Sequence, residues 1–174
     1  MRIAWFTPFQ QRSAIAEFSQ HVTAELSKLA TVEIWTSDDA ELLSTDLPMV
    51  GFSRGASALE RLDDYDVVVY NFGNYLGYHG DIHAVSQAHP GVVILHDRAL
   101  HHLFSEMWLA AADSDPVHYV QRMGAHYGVA GTRAASDYVR GLRLPVWESD
   151  ADLLRFPLYE ESLTNALGAV VHSV

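Results

Sequence analysis

The sequence predicts an α/β domain: a Rossmann-like, doubly wound parallel sheet with helices on both faces. Three observations carry this. Short runs of β-branched and aromatic residues alternate along the chain with longer segments of helical periodicity. Two runs, Val67-Val68-Val69-Tyr70 and Val92-Val93-Ile94-Leu95, are continuously apolar, the pattern of strands covered on both faces. The 174 residues are 49% hydrophobic and 19% charged, which suits one sizeable buried core and is unlike a disordered tail.

Taken in order, residues 2–7 read as the first strand. Ile15, Phe18, Val22, Leu26 and Leu29 then recur every three or four positions and form one apolar helical face, with Ser13 as its N-cap. Residues 31–36 read as a strand, 37–48 as polar loop, 49–52 as a short strand and 58–62 as a short helix. Residues 66–71 form a fourth strand, 82–88 a helix stopped by His89-Pro90-Gly91, and 92–96 a fifth strand. Residues 99–141 turn helical, with Asp115 as N-cap, Pro116 in the first helical position, and breaks at Gly124, Gly128 and Gly131. Leu144-Pro145 and Phe156-Pro157 mark loops, followed by a helix over 159–167 and a strand over 169–172. A parallel strand normally leads into a covering helix. Its position at the end of the chain therefore raises the expectation that residues 1–174 are a single first domain whose continuation is absent. Trp5, Phe6, Trp35 and Tyr70 lie in strand patterns and are assigned to the core.

Composition removes several classes of function. Asp and Glu number 22 against 11 Lys and Arg, a net charge of −11 that repels nucleic acid and anionic membrane surfaces. With no cysteine there is no disulfide, no thiolate nucleophile and no cysteine zinc site. The longest apolar runs fall far short of a membrane span, and the apolar start ahead of Pro8 is too short for a signal peptide, so a cytoplasmic location is expected.

Ligands of doubly wound sheets bind beyond the carboxyl ends of the strands, which directs attention to residues 7–14, 71–78, 96–102 and 173 onward. In the turn Thr7 to Ile15, a helix start with Ser13 as cap and Arg12 alongside suits a phosphate; the alternative is an ordinary strand-to-helix loop. Neither G-x-G-x-x-G nor a Walker pattern occurs. His96 and Asp97 exit a buried strand, followed by His101 and His102. His96 can bond a substrate hydroxyl or serve as acid or base, and Asp97 can accept from a hydroxyl, orient a ring nitrogen or cap the next helix. The same set also resembles zinc ligands. Adjacent helical residues point about 100° apart, however, so His101 and His102 do not easily face one ion; no metal is expected, and His102 reads as a packed or surface residue. Gly73 permits positive φ and close backbone approach, and Asn74 can bond a ligand; a plain turn is the alternative. His172 and Ser173 end the last strand at the same crevice, and Arg133, Arg140 and Arg143 read as solvated or paired.

Taken together, these motifs resemble a known family. Arg2-Ile3-Ala4-Trp5-Phe6-Thr7-Pro8 with Gln11-Arg12-Ser13-Ala14-Ile15-Ala16-Glu17-Phe18-Ser19, then Tyr70-Asn71-Phe72-Gly73-Asn74, resemble the start of GT-B fold, family 4 glycosyltransferases. So do Val92-Val93-Ile94-Leu95-His96-Asp97 with Leu100-His101-His102, and Val170-Val171-His172-Ser173. The resemblance runs over nearly the whole chain in order. It implies the acceptor-side half of a two-domain, retaining, metal-free glycosyltransferase, with the nucleotide-sugar domain and its pair of glutamates absent. Ser13, Ala14 and Ile15 would then lie near the donor diphosphate, His96 at the transferred sugar, Asp97 in support, and Asn74 and His172 along the cleft. Ala14 stands where the family usually has glycine, so a methyl group faces the diphosphate. The implied partners are a nucleotide-sugar donor, a hydroxyl acceptor and the missing domain, with no cofactor. Such a half is expected to be inactive alone. Two other functions compete: a self-contained Rossmann-like binding module for a small anionic ligand or protein partner, and a metallohydrolase built on His96, Asp97, His101 and His102.

Overall fold

A computed structural model describes residues 1–37, 41–52, 57–110 and 114–172. The chain packs as two compact units, one comprising Met1–Gly73, Gly77–His96 and Ser162–Val174, the other Asn74–Leu76 and Asp97–Glu161.

The first unit holds a six-stranded sheet. Its strands are β1 (Arg2–Phe6), β2 (Thr31–Thr36), β3 (Met49–Gly51), β4 (Val67–Phe72), β5 (Val92–Leu95) and β6 (Gly168–Val171). The order across the sheet is β3-β2-β1-β4-β5-β6, and every pairing is parallel. The chain enters at the centre, winds out to β3, returns beside β1 and winds out to β6. This is the doubly wound architecture the sequence predicts, and it puts the topological switch point between β1 and β4.

Helices cover both faces. Ile3, Trp5, Val32, Val69 and Ile94 form one core layer, onto which Phe18, Val22 and Leu26 of α1 (Ala14–Leu26) pack. Phe72 points to the opposite face, where its ring meets His79 and His83 of α2 (Leu76–Ala88). A buried polar chain seats α1: Trp5 Nε1 donates to Ser19 Oγ at 3.0 Å, which lies 2.7 Å from Thr7 Oγ1. Trp5, Phe6, Trp35 and Tyr70 are all buried, as their strand positions require.

Several boundaries move from their expected places. The first helix stops at Leu26, and Leu29 is 84% exposed, because the chain must turn within a few residues to enter β2 at Thr31. Residues Ser57–Asp64 form a 3-10 helix. The second helix starts at Leu76 rather than at residue 82: Gly77 and Gly80 lower its intrinsic propensity, and packing of buried His79, Gly80 and Ile82 sets it instead. The helix expected over 159–167 is a 3-10 turn, Tyr159–Leu163, because Leu167 N donates to Gly91 O at 2.8 Å at the start of β6 pairing.

The second unit is helical, with α3 (His101–Leu109), α4 (Pro116–Val139) and α5 (Asp150–Arg155). The last of these lies between the two expected loops, in a segment the sequence pattern leaves unassigned, and is capped by Ser149, whose hydroxyl accepts from Asp152 N at 3.3 Å. At α4 the predicted start is observed: Asp115 Oδ1 accepts from His118 N at 2.9 Å, with Pro116 in the first turn. Replacing Asp115 by Ala is expected to cost about 1 kcal/mol in urea unfolding; an unchanged midpoint would deny the cap any role. Of the three glycines expected to break the segment, Gly128 alone leaves helical geometry, at φ 62° and ψ −146°.

Candidate functional site

The parallel register builds the site. Leu95 pairs with Val171, so the residues that follow, His96 and His172, leave neighbouring strands side by side at the carboxyl edge of the sheet. Their rings stand 5.0 Å apart, and His172 Nε2 lies 3.2 Å from His96 Nδ1. The Phe18 ring, one turn into α1, meets both edge-on, at 4.7 Å and 5.2 Å. His96 is half-buried and His172 exposed. The two rim positions singled out in the sequence are thus brought together, and the imidazole of His96 sits at the rim rather than deep in the core. Ser173 lies outside the described residues.

Beneath His96 lies Asn71 of β4, fully buried, with Oδ1 2.9 Å from His96 Nε2 and Nδ2 donating to Phe6 O at 2.9 Å. His79 of α2 contributes a second buried imidazole, its Nδ1 3.1 Å from Asn71 O. Burial, with a smaller contribution from the neighbouring His172, lowers the His96 pKa to about 4; burial first, and then His96, lowers that of His79 to about 4. At neutral pH both rings are uncharged, so His96 acts as a neutral donor–acceptor and not as a fixed cation.

The turn after β1 presents the second part of the site. Ser13 caps α1 as expected, its Oγ accepting from Ala16 N at 3.3 Å. The amides of Ala14 and Ile15 precede the first intrahelical acceptor and belong to the exposed positive end of the helix dipole. Arg12 is not an unopposed cation. The loop after β2 folds back on this turn, with Leu43 N donating to Phe9 O at 2.9 Å and Gln11 N to Glu41 O at 2.8 Å. That places Glu41 Oε2 3.5 Å from Arg12 Nε, both side chains being mostly exposed.

In the second unit, Asp97 Oδ2 accepts from Asn74 N at 2.8 Å, and Asn74 Oδ1 accepts from Leu103 N at 3.0 Å. The pair holds the first turn of α3, so both side chains already carry structural bonds. Gly73 does not take the positive φ its type permits. His101 is fully buried, its Nδ1 2.6 Å from Phe156 O and its Nε2 2.8 Å from the Tyr119 hydroxyl. Both nitrogens are therefore committed within the fold. His102 lies on the helix surface, 3.9 Å from Glu106. Among the described residues no group of three or more His, Cys, Asp or Glu side chains is placed to hold a metal ion, and the ligand set of the metallohydrolase reading is not assembled. Arg133 and Arg143 pair with Asp137 and Asp152, at 3.6 Å and 2.5 Å. No helix among the described residues is long and apolar enough to cross a membrane.

Sequence reasoning did not single out Asn71 or His79 as site residues. The available signal for Asn71 was its place as the one polar residue in a strand otherwise made of Val, Tyr and Phe.

No family model and no curated protein matches the sequence. Among solved structures the chain is similar to the Shewanella denitrificans Kef CTD in its AMP-bound form. The two share 9% identity over 81% of this chain and 92% of that chain, with a TM-score of 0.38.

Proposed function

We propose that this chain is the acceptor-side domain of a retaining glycosyltransferase, in which His96 receives a hydroxyl of the transferred sugar. The observation that carries the reading is the uncharged imidazole of His96 at the carboxyl edge of a doubly wound sheet, beside His172 and across from the start of α1. In the reaction the bond from the anomeric carbon to the diphosphate oxygen breaks. A bond from the acceptor oxygen to that carbon forms, and the acceptor's proton leaves with the diphosphate. Charge develops on the diphosphate and on the sugar ring. The amides of Ala14 and Ile15 offer dipoles to the first. A neutral histidine suits the second, because it bonds a hydroxyl without adding positive charge beside an oxocarbenium-like carbon. Asp97 supports the neighbouring loop through Asn74. A second domain, holding the nucleotide, completes the enzyme, and the chain alone does not turn over.

Titration of the full chain with UDP-glucose and with GDP-mannose, followed by NMR, tests this. The amides of Ala14 and Ile15 and the ring of His96 are expected to shift together, and His96→Ala is expected to remove the sugar-dependent part of the response. Shifts induced equally by inorganic phosphate, confined to the helix start, would favour the anion-binding module. No shift at either place with any of these probes overturns the proposal.

A further inference from the structure

Asn71 interrupts an apolar strand and is fully buried, yet its side-chain amide can be oriented in one way only. Nδ2 donates to Phe6 O at 2.9 Å; turned over, the amide would set its oxygen against that carbonyl. Oδ1 therefore faces His96 Nε2, 2.9 Å away. An amide oxygen only accepts, so Nε2 of His96 carries the proton, and in the neutral ring Nδ1 is bare. We infer that Asn71 is a positioning residue that, braced by the Phe6 carbonyl, holds His96 as the Nε2–H tautomer and so presents its Nδ1 at the rim as a hydrogen-bond acceptor for a ligand hydroxyl. The part about a ligand hydroxyl rests on the function proposed above; the tautomer does not.

The surrounding bonds run in one direction. His172 Nε2 donates to His96 Nδ1, His96 Nε2 to Asn71 Oδ1, and Asn71 Nδ2 to Phe6 O. His79 donates from Nδ1 to the main-chain carbonyl of Asn71, at 3.1 Å, and anchors the strand from the other face. Exposed His172 thus occupies Nδ1 in the ligand-free protein. A hydroxyl brings the same kind of proton and can take its place. A phosphate oxygen brings a lone pair to a lone pair and is rejected at this point, which separates a sugar-hydroxyl position at His96 from the anion-favouring start of α1. An asparagine serving the strand alone would not need the imidazole in either tautomer.

Long-range nitrogen–proton NMR of the histidine rings in the full chain at pH 7 reads the tautomer directly. Protonated Nε2 and bare Nδ1 are expected for His96; a dominant Nδ1–H form in the unaltered protein overturns the inference without any variant. Asn71→Asp keeps an oxygen facing Nε2 whether it is a carboxylate or an acid whose hydroxyl donates to Phe6 O, so the Nε2–H tautomer is expected to persist. Asn71→Leu removes the acceptor, and the Nδ1–H form is expected to gain a measurable share. An unchanged tautomer ratio in Asn71→Leu, or a dominant Nδ1–H form in Asn71→Asp, overturns the role, and if the leucine variant does not fold, the other two measurements still decide. A locked tautomer with no response of His96 to UDP-glucose or GDP-mannose would sink the glycosyltransferase reading and leave Asn71 in place.

Discussion

Stability is expected to fall steeply as the pH drops from about 6.5 to about 4. His79 and His101 are 2% and 0% exposed, and burial lowers both to a pKa of about 4 from an ordinary value of 6.5. Across that window the unfolded chain binds protons on these rings and the folded chain does not, so acidification favours unfolding. Each such ring contributes a slope of up to ~1.4 kcal/mol per pH unit, and two of them over the window amount to roughly 6 kcal/mol. That is comparable with the whole stability of an ordinary domain, about 5–15 kcal/mol. His96 adds less, being half-exposed. At lower pH the loss continues through Glu33, whose burial alone would raise its pKa but which Tyr65, Arg2 and Arg61 together hold below the usual value. Urea midpoints at pH 7, 6, 5 and 4.5 measure the slope. His101→Gln should flatten it by one ring's share, because the amide retains a donor for Phe156 O and an acceptor for Tyr119 without titrating. A midpoint constant from pH 6.5 to pH 5 would mean that these rings titrate normally in the folded chain.

The histidines also show where sequence reasoning reaches and where it stops. The sheet is legible because parallel strands buried on both faces read as continuously apolar runs, and Val67-Val68-Val69-Tyr70 and Val92–Leu95 are such runs. His96 and His172 are legible as rim residues because a strand that ends in polar side chains has reached solvent. Their pairing is not, since it depends on the register of β6 against β5, which no local pattern specifies. Asn74 stands out ahead of Asn71 because Gly73 before it permits close backbone approach to a ligand, whereas a polar residue inside a strand acquires meaning only once Phe6 O and His96 are placed beside it. Glu41 reaches Arg12 by a similar non-local route, across 29 residues of sequence that carry no charge pattern predicting the pair. The early start of α2 is hidden by its glycines, and with it the burial of His79. In α4 three glycines look alike in sequence, and only the backbone separates them.

That separation yields a ranked expectation: Gly131→Ala is the most damaging, ahead of Gly128→Ala and well ahead of Gly124→Ala. Gly131 is buried where the two segments of α4 meet after the turn at Gly128. A methyl group there would run into the Met123 carbonyl oxygen, with the Met123 carbonyl carbon at 2.9 Å and Tyr127 Cβ at 2.8 Å. These are main-chain and Cβ atoms of a helix and have no rotamer through which to yield. Tyr127 also receives Leu158 N at 2.6 Å and donates to Glu160 at 2.7 Å, so displacing it disturbs the loop beyond. A cost of about 3 kcal/mol is expected, the upper part of the range for overpacking, even after alanine's better helix propensity returns about 1 kcal/mol. Gly128 has open space around it, but at φ 62° and ψ −146° its backbone lies in a region essentially reserved to glycine, and a side chain there costs roughly 1–3 kcal/mol. Gly124 would meet the Thr132 hydroxyl at 2.5 Å, a group that can rotate away at the expense of its bond to Gly128 O, so its loss is expected to be about 1 kcal/mol or less. Urea unfolding of the three variants gives the order directly. Equal losses at Gly131 and Gly124 would mean that the two segments do not pack at Gly131, and the close approach on which this helical unit is built would be wrong.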